Sequence, residues 1–337
     1  MCRHFAYLGE QVSIKSVLFD PPHSLVEQAW APRWQKHGTM NVDGFGVGWY
    51  ADGDPVPARY RRTGPIWSDD CLPDLARVTR TRAMLCAVRS ASVGTDTSAA
   101  AAAPYAHGKW LFSLNGALVG WSAAAGGSTR PRRRTAAPTN ADRAVRAGAE
   151  PGLRSAARRA EAAGESITQP APSVPAHLAE AAAAVLRLAE ALPAADLLRL
   201  QARCDTALLW GMVLPRLRAG ERLADALAGT VTDIWAAGGT GRFNLLLTDG
   251  AVIAATAAGD SLCYRHRPDG VIVASEPSDD DPDWHTVRDG SVVEATTAGV
   301  TVWPLTPVAL AGQARPAGRA GRAGTAGHQN GEAAARR

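Results

Sequence analysis

The stretch that decides the fold stands at the amino terminus and reads Met1-Cys2-Arg3-His4-Phe5-Ala6-Tyr7-Leu8-Gly9. The run from Cys2 to Leu8 is rich in β-formers and is closed by Gly9, so it predicts a first strand with Cys2 at its end. If Met1 is removed, Cys2 carries both a thiol and a free α-amine. An α-amine has a pKa of about 7.7 to 8.0, close enough to neutrality to accept a thiol proton. The stretch indicates an N-terminal nucleophile, with a small buried apolar residue as the alternative.

Composition sets the size of the core. The chain has 337 residues, of which 46% are hydrophobic and 20% are charged, which suits one large domain or two modest ones. The net charge is +4, and much of the basic excess lies at 130–134 and at the carboxyl end, where large apolar residues are scarce. Since basic runs of this kind are usually solvated, we expect no nucleic-acid binding.

The cysteines and the hydropathy pattern point to a compartment. Five cysteines, an odd number without a Cys-x-x-Cys pair, argue against a disulfide framework or a zinc site. Charged residues occupy the amino terminus where a signal peptide needs an apolar run, and no stretch has the length and apolar character of a membrane span. These features predict a cytoplasmic protein, and a reducing compartment also suits a catalytic thiol.

Several local patterns predict elements in the amino-terminal half. Ser24 and Glu27 have the spacing of a capping box, with an apolar stripe that predicts a helix to about Lys36. The glycines within 41–50 predict a strand whose backbone closely approaches a neighbouring strand or a ligand. A strand near 84–89 places Arg89 at a strand end, where an arginine is more often a surface charge than a ligand clamp.

The pair Asn115-Gly116 stands between two apolar runs. Asn-Gly in that setting is a strong signal for a tight hairpin turn, and a turn alone would account for it. If Cys2 lies beside the pair, the Asn side-chain amide and the following Gly N–H instead form the two donors that an oxyanion hole requires.

Composition changes abruptly after the Asn-Gly pair. Residues from about 122 to 176 are dominated by Ala, Gly, Arg, Pro and Ser, which predicts a disordered insertion. Helical patterns follow at about 176–191, 205–217 and 221–227. Asp205 begins the second of these helices, and capping is the default role of an Asp there.

The carboxyl half is rich in β-formers. Asp249-Gly250 between two apolar runs predicts a hairpin, and four further short strands are expected between 261 and 303. After Gly312 the composition predicts a disordered tail, 312–337. Strands at both ends of the chain with helices between them predict a layered α+β architecture.

Taken together, several segments resemble the class II glutamine amidotransferase domain. These are the Cys2 start, the stretch 41–46, Arg89 with Ser92, Asn115-Gly116, and the stretch 204–206. The resemblance implies an N-terminal-nucleophile (Ntn) hydrolase fold, an α+β four-layer αββα sandwich of two stacked, mainly antiparallel sheets. It covers one domain, 2–311, interrupted by the insertion.

The resemblance also assigns roles to individual residues. Cys2 would be the nucleophile, and Asn115 with Gly116 would hold the oxyanion. Arg89 would bind the α-carboxylate of a γ-glutamyl group, Asp205 would pair with its α-ammonium, and Ser92 would lie in the same substrate site. No metal or organic cofactor is called for.

Within that family, the opening residues, the stretch 110–116, the Asp249-Gly250 hairpin and the stretch 275–281 resemble the stand-alone members of the ergothioneine pathway. This implies hydrolysis of γ-glutamyl-hercynylcysteine sulfoxide to glutamate and hercynylcysteine sulfoxide. The alternatives are a glutaminase subunit that supplies ammonia to a separate synthase and a non-catalytic γ-glutamyl-binding protein. The expected partner is a small γ-glutamyl substrate, without nucleic acid or membrane, and a homo-oligomer stays open.

Overall fold

Two antiparallel sheets lie face to face, and helices cover both outer surfaces. The computed structural model describes residues 2–92, 94–125 and 175–305, all within the unit Met1–Pro307. The four layers are those of the αββα sandwich, which confirms the predicted fold class.

The first sheet has seven strands, and the amino-terminal strand lies at its centre. In chain order its strands are β1 (Arg3–Ser13), β2 (Phe45–Trp49), β3 (Ala58–Arg62), β4 (Arg80–Val88), β9 (Cys263–Arg267), β10 (Gly270–Ala274) and β11 (His285–Thr286). Their order in space is β11-β9-β10-β1-β4-β2-β3. The predicted first strand is therefore confirmed, and it continues past Gly9 to Ser13.

The second sheet has six strands. They are β5 (Tyr105–His107), β6 (Trp110–Leu118), β7 (Gly241–Thr248), β8 (Ile253–Ala257), β12 (Ser291–Thr296) and β13 (Gly299–Pro304). Their order is β13-β12-β8-β7-β6-β5. The predicted Asp249-Gly250 hairpin joins β7 to β8. Asp249 Oδ1 stabilises its loop by accepting from the N–H groups of Ala251 and Val252 at 3.1 and 3.0 Å.

The helices form the two outer layers. One group packs on the first sheet and comprises α1 (Ile14–Leu18), α2 (Leu25–Gln28) and α3 (Leu72–Val78). The other packs on the second sheet and comprises α4 (Trp121–Ala124), α5 (Ala176–Glu190), α6 (Ala194–Leu197), α7 (Asp205–Arg218) and α8 (Leu223–Ala236). Helix α5 matches its sequence pattern closely, and α8 extends well beyond the predicted end at 227.

Side-chain alternation along β1 decides what faces the space between the sheets. Ala6 and Leu8 belong to the core between the sheets, whereas Phe5 and Tyr7 belong to the core beneath α1 to α3. Because successive side chains on a strand point to opposite faces, Cys2 lies on the inner side together with Ala6 and Leu8. The nucleophile candidate therefore lies at one end of the space between the sheets.

One predicted helix is shorter than its apolar stripe indicated. Ser24 Oγ accepts from the Glu27 N–H at 3.2 Å, so the cap is confirmed. Helix α2 nevertheless ends at Gln28, and the prediction that it continues to about Lys36 is wrong. Pro32 supplies the reason, since proline lacks the N–H that a helix interior needs and disfavours helical geometry in the residue before it.

The glycine-rich stretch at 41–50 becomes β2, as predicted. A Cβ at Gly46 would lie 2.2 Å from the carbonyl oxygen of Ala103. The close approach that the glycines indicated is therefore to a neighbouring segment of the chain, one that also reaches the candidate site.

The predicted insertion and tail fall mostly outside the described residues. Helix α4 occupies the first positions of the insertion, so the prediction of no regular structure from 122 onward is wrong there. Residues 126–174 and the tail 312–337 are not described, and their disorder stays a prediction.

Two further expectations concern cysteines and membranes. All five cysteines are free thiols, in agreement with the absence of a disulfide framework. Within the described ranges, the helices lack the combination of length and apolar character needed to cross a bilayer.

Candidate active site

Strand pairing brings Cys2 and Arg89 to the same end of the first sheet. Arg3 pairs with Val88 in the antiparallel β1–β4 ladder. Cys2 directly precedes Arg3, and Arg89 directly follows Val88. The two residues are therefore neighbours beyond the end of the ladder. Both line one small cavity, and Thr206 closes it from the second layer of helices.

Asn115 lies on β6 of the opposite sheet, the strand that contacts β1 across the space between the sheets. Across the space between the sheets, His4 Nδ1 lies 3.0 Å from Ser113 Oγ, and both groups are buried. One further inward-facing step along each strand leads from His4 to Cys2 and from Ser113 to Asn115. The nucleophile and the candidate oxyanion donor therefore occupy corresponding positions on facing strands.

Asn115-Gly116 is not a turn. Both residues lie inside β6 and pair with Asn244 and Phe243 of β7, so the hairpin prediction for this pair is wrong. A turn does not explain why this position is a glycine. A Cβ at Gly116 would lie 1.9 Å from the carbonyl oxygen of Arg242. Close approach of the neighbouring strand, rather than a positive φ, requires glycine here.

The Gly116 N–H points toward the candidate site. In an antiparallel ladder both backbone groups of a residue point to the same side, and the side alternates along the strand. Leu118, two residues after Gly116, donates its N–H to Asp205 Oδ2 at 3.1 Å, whereas Val119 donates to Thr240 O beside β7. Gly116 therefore directs its N–H away from β7, to the side on which Asp205 lies.

Arg89 is held in place with part of its guanidinium unused. The residue is 8% exposed, and Nη2 donates to Thr95 Oγ1 at 3.1 Å and to Asp96 O at 2.8 Å. Its Nη1, also buried, has no hydrogen-bond partner among the described residues. A buried, unpaired guanidinium nitrogen suits a carboxylate ligand, and the expectation of a surface charge at this position is wrong.

The stretch at 41–46 supports the Arg89 backbone. The Arg89 N–H donates to Gly44 O at 2.7 Å, and the Asp43 N–H donates to Arg89 O at 2.9 Å. Asp43 Oδ2 also accepts from the Ala91 N–H at 2.8 Å. This stretch therefore fixes the position from which the guanidinium reaches the site.

Asp205 opens helix α7 but does not cap it. The N-cap residue is Cys204, so the capping prediction is wrong. The Asp205 carboxylate instead accepts from the N–H groups of Thr206 at 2.8 Å and Leu118 at 3.1 Å. Burial raises the pKa of this carboxyl above its ordinary value, while those two hydrogen bonds and the nearby Arg89 charge act in the opposite direction.

Asp205 and Ser92 line a second cavity, of about 230 Å³. Its wall also includes Leu118, Gly120 and Trp121. Because Thr206 lines the Cys2 cavity and Asp205 lines this one, the amino-terminal end of α7 borders both. The structure thus places Cys2 and Arg89 in one cavity and Ser92 and Asp205 in the other, both at this helix end. Asn115 and Gly116 line neither cavity and lie on β6, which leads to Leu118.

Sequence reasoning gave no role to three residues that organise the site: His4, Ser113 and Ser275. His4 is fully buried, and burial together with the adjacent Arg3 charge lowers its pKa to about 3, so its imidazole is neutral. Ser275 Oγ accepts from Asn115 Nδ2 at 3.3 Å. His4 and Ser275 both stand in stretches that carried the family resemblance, which was the available signal for them.

Comparison with known proteins places the chain in a family. A protein of Mycobacterium tuberculosis described as gamma-glutamyl-hercynylcysteine sulfoxide hydrolase is 33% identical over 305 residues, covering 90% of this chain and 97% of that protein. The chain belongs to the gamma-glutamyl-hercynylcysteine sulfoxide hydrolase family. A protein with the same description from Mycolicibacterium smegmatis is 32% identical over 305 residues, covering 90% and 100% of the two chains. As a member of this hydrolase family, the chain is an enzyme.

A solved structure bears out the fold of this hydrolase family member. A protein of Silicibacter pomeroyi described as a glutamine aminotransferase class-II domain protein matches it with a TM-score of 0.52 at 20% identity, over 90% of this chain and 99% of that one. No family model matches the chain. The predicted four-layer fold is confirmed by this match.

Proposed function

We propose that this enzyme hydrolyses the γ-glutamyl amide of γ-glutamyl-hercynylcysteine sulfoxide, releasing glutamate and hercynylcysteine sulfoxide in ergothioneine biosynthesis. Family membership supports the substrate. The observation that carries the proposal at the site is a pair of separated, buried charges beside Cys2. Arg89 is 8% and Asp205 is 7% exposed, and no ion pair joins them in the described part of the chain.

The two charges match the α-carbon end of a glutamyl group. Burying an unpaired charge is costly, so a site that keeps a guanidinium and a carboxylate apart is suited to a ligand that carries both opposite charges. Arg89 Nη1 is free, within the described residues, to bind the α-carboxylate. Asp205 would accept the α-ammonium. With both charges engaged, the γ-carbonyl would extend toward Cys2.

The reaction would then proceed through a thioester. With Met1 removed, Cys2 Sγ attacks the γ-carbonyl carbon while its own α-amine takes the thiol proton. The Asn115 Nδ2 and Gly116 N–H groups stabilise the oxyanion. The C–N bond breaks as the α-amine returns the proton to the leaving amine. Water, deprotonated by the same α-amine, cleaves the thioester and restores the thiol.

A cytoplasmic location belongs to the same proposal. Oxidation of Cys2 would remove the nucleophile, so the mechanism needs a compartment that keeps thiols reduced.

The test compares two cysteines. Cys2→Ala should abolish glutamate release from γ-glutamyl-hercynylcysteine sulfoxide, whereas Cys71→Ala, at an exposed thiol that precedes α3 on the outer surface of the first sheet, should leave it unchanged. Mass spectrometry of the active protein should show Cys2 as the first residue. Glutamate release by Cys2→Ala would disprove the mechanism, and a preference for free glutamine would favour an ammonia-supplying glutaminase instead.

A further inference from the structure

Ser275 closes a hydrogen-bonded ring with the strand that carries the nucleophile. It directly follows β10 and is fully buried. Its N–H donates to His4 O at 2.9 Å, and its hydroxyl accepts from the His4 N–H at 3.1 Å. Both backbone groups of His4, two residues from Cys2, are thus bound to one residue.

The same hydroxyl reaches the opposite sheet. Ser275 Oγ accepts from Asn115 Nδ2 at 3.3 Å, although the two residues are 160 positions apart in the sequence. Asn115 Oδ1 is buried and has no hydrogen-bond partner within the described ranges. Among these residues, the contact with Ser275 is therefore the hydrogen bond that orients this side-chain amide.

Orientation matters because an amide has two unlike ends. The terminal torsion of Asn has a broad distribution, and a rotated amide would present Oδ1 rather than Nδ2 to a developing negative charge. Nδ2 carries two hydrogens. When one of these hydrogens is donated to Ser275 Oγ, the amide plane is fixed and the other hydrogen is left for the oxyanion.

We propose that Ser275 is a positioning residue of the oxyanion hole, whose hydroxyl holds the Asn115 amide in its donating orientation and in register with Cys2. This inference rests on the proposed function, because it assigns Asn115 to the oxyanion. Ser275 does not touch the reacting atoms. It acts through Asn115 on one side and through the His4 backbone on the other.

Loss of the Ser275 hydroxyl should affect turnover rather than substrate binding. Since the oxyanion exists only after attack, a misplaced donor weakens the transition state and leaves the substrate clamp intact. Ser275→Ala should lower kcat about 10- to 100-fold, the range expected for a donor displaced by about 1 Å, while KM changes by less than about twofold. Ser275→Cys has a similar shape, with a somewhat larger sulfur atom, but offers only a weak acceptor, so it should show the same loss.

Thr256→Val is the matched control. Thr256 is fully buried, and its hydroxyl also makes two hydrogen bonds, donating to Phe243 O and accepting from the Leu245 N–H. Among the described residues, no hydrogen bond joins it to Asn115. The variant should lose stability comparably, as measured by thermal unfolding, and keep the kcat of the parent enzyme.

A double-mutant cycle separates positioning from general damage. In an Asn115→Ala background the amide is absent, so adding Ser275→Ala should change kcat by less than about twofold. An equal loss in both backgrounds, or a parent-like kcat in both Ser275 variants, would overturn the inference. Failure of the parent enzyme itself to release glutamate would instead refute the proposed function.

Discussion

The Leu118 N–H donates a hydrogen bond to Asp205 Oδ2 over 3.1 Å, which ties the strand of the proposed oxyanion hole to the first residue of helix α7. The same carboxylate lines the 230 Å³ cavity. Asp205 thus joins the proposed oxyanion strand to the proposed site of the substrate ammonium.

Asp205→Asn should weaken substrate binding more than turnover. The amide has the shape of the carboxylate, but it keeps one accepting oxygen where Asp205 uses two, and it has lost the charge that would pair with the α-ammonium. Hydrogen bonds to charged groups are stronger than neutral ones, so we expect KM to rise by about tenfold or more. Asp74→Asn, on the opposite helical layer, serves as the control in steady-state kinetics, and an unchanged KM for Asp205→Asn would contradict the clamp.

Substrate affinity should fall at acidic pH because of the same residue. Burial raises the pKa of Asp205, so the carboxyl gains its proton at a higher pH than an exposed aspartate, and the charge for the ammonium is lost there. Calorimetric titration of the uncleaved substrate into Cys2→Ala enzyme measures this without the pH dependence of the chemical step. Adding Asp205→Asn should flatten the acid limb, and an identical limb in both proteins would contradict this origin.

Gly116→Ala should destabilise the second sheet. The new Cβ would lie 1.9 Å from Arg242 O, so the central β6–β7 pair must separate, at a cost of about 3 kcal/mol in the free energy of unfolding. Gly290→Ala is the control, since its φ is +73° but nothing lies within 4 Å of its Cβ, and it should cost only about 1 to 2 kcal/mol. Urea denaturation gives both values, and the reverse order would show that the strands accommodate the methyl group.

The His4 imidazole should make stability fall as pH falls below 6.5. Its pKa is lowered from 6.5 to about 3 in the folded protein, so only the unfolded chain binds a proton in this window. As the pH falls from 6.5 toward 3, the free energy of unfolding therefore decreases by about 1.4 kcal/mol per pH unit. Urea denaturation at several pH values should show a shallower slope for His4→Asn, whereas His37→Gln, at an exposed histidine, should keep the parent slope.

Local patterns in the sequence were sufficient for many elements. The run of β-formers after Cys2, the Asp249-Gly250 loop and the pattern of α5 depend on neighbours within a few residues, and each appears in the structure. The predicted helix was longer than α2 itself, because Pro32 ends the helix although the apolar stripe continues. Cys2 was identified as the candidate nucleophile from its position alone, directly after Met1.

Local patterns failed where distant backbone decided the outcome. The dipeptide Asn-Gly looks the same in a sequence whether it forms a turn or lies inside a strand such as β6. A glycine is required at position 116 because the carbonyl group of Arg242, far away in the sequence, lies close to it. The role of Asp205 likewise depends on the N–H of Leu118. Neither partner can be identified from residues near the motif, because sequence spacing does not specify which strands pair.

The sequence by itself determined the nucleophile candidate, the layered fold class and the residue types of the proposed γ-glutamyl site. Only the tertiary structure decided that Arg89 and Asp205 stay buried and apart, that Gly116 directs its N–H to the site, and that Ser275 links Asn115 to the strand of Cys2. The physical reason is that alternation and capping act within one element. The separation of two charges and the direction of a donor depend instead on how two sheets and a helix end pack together.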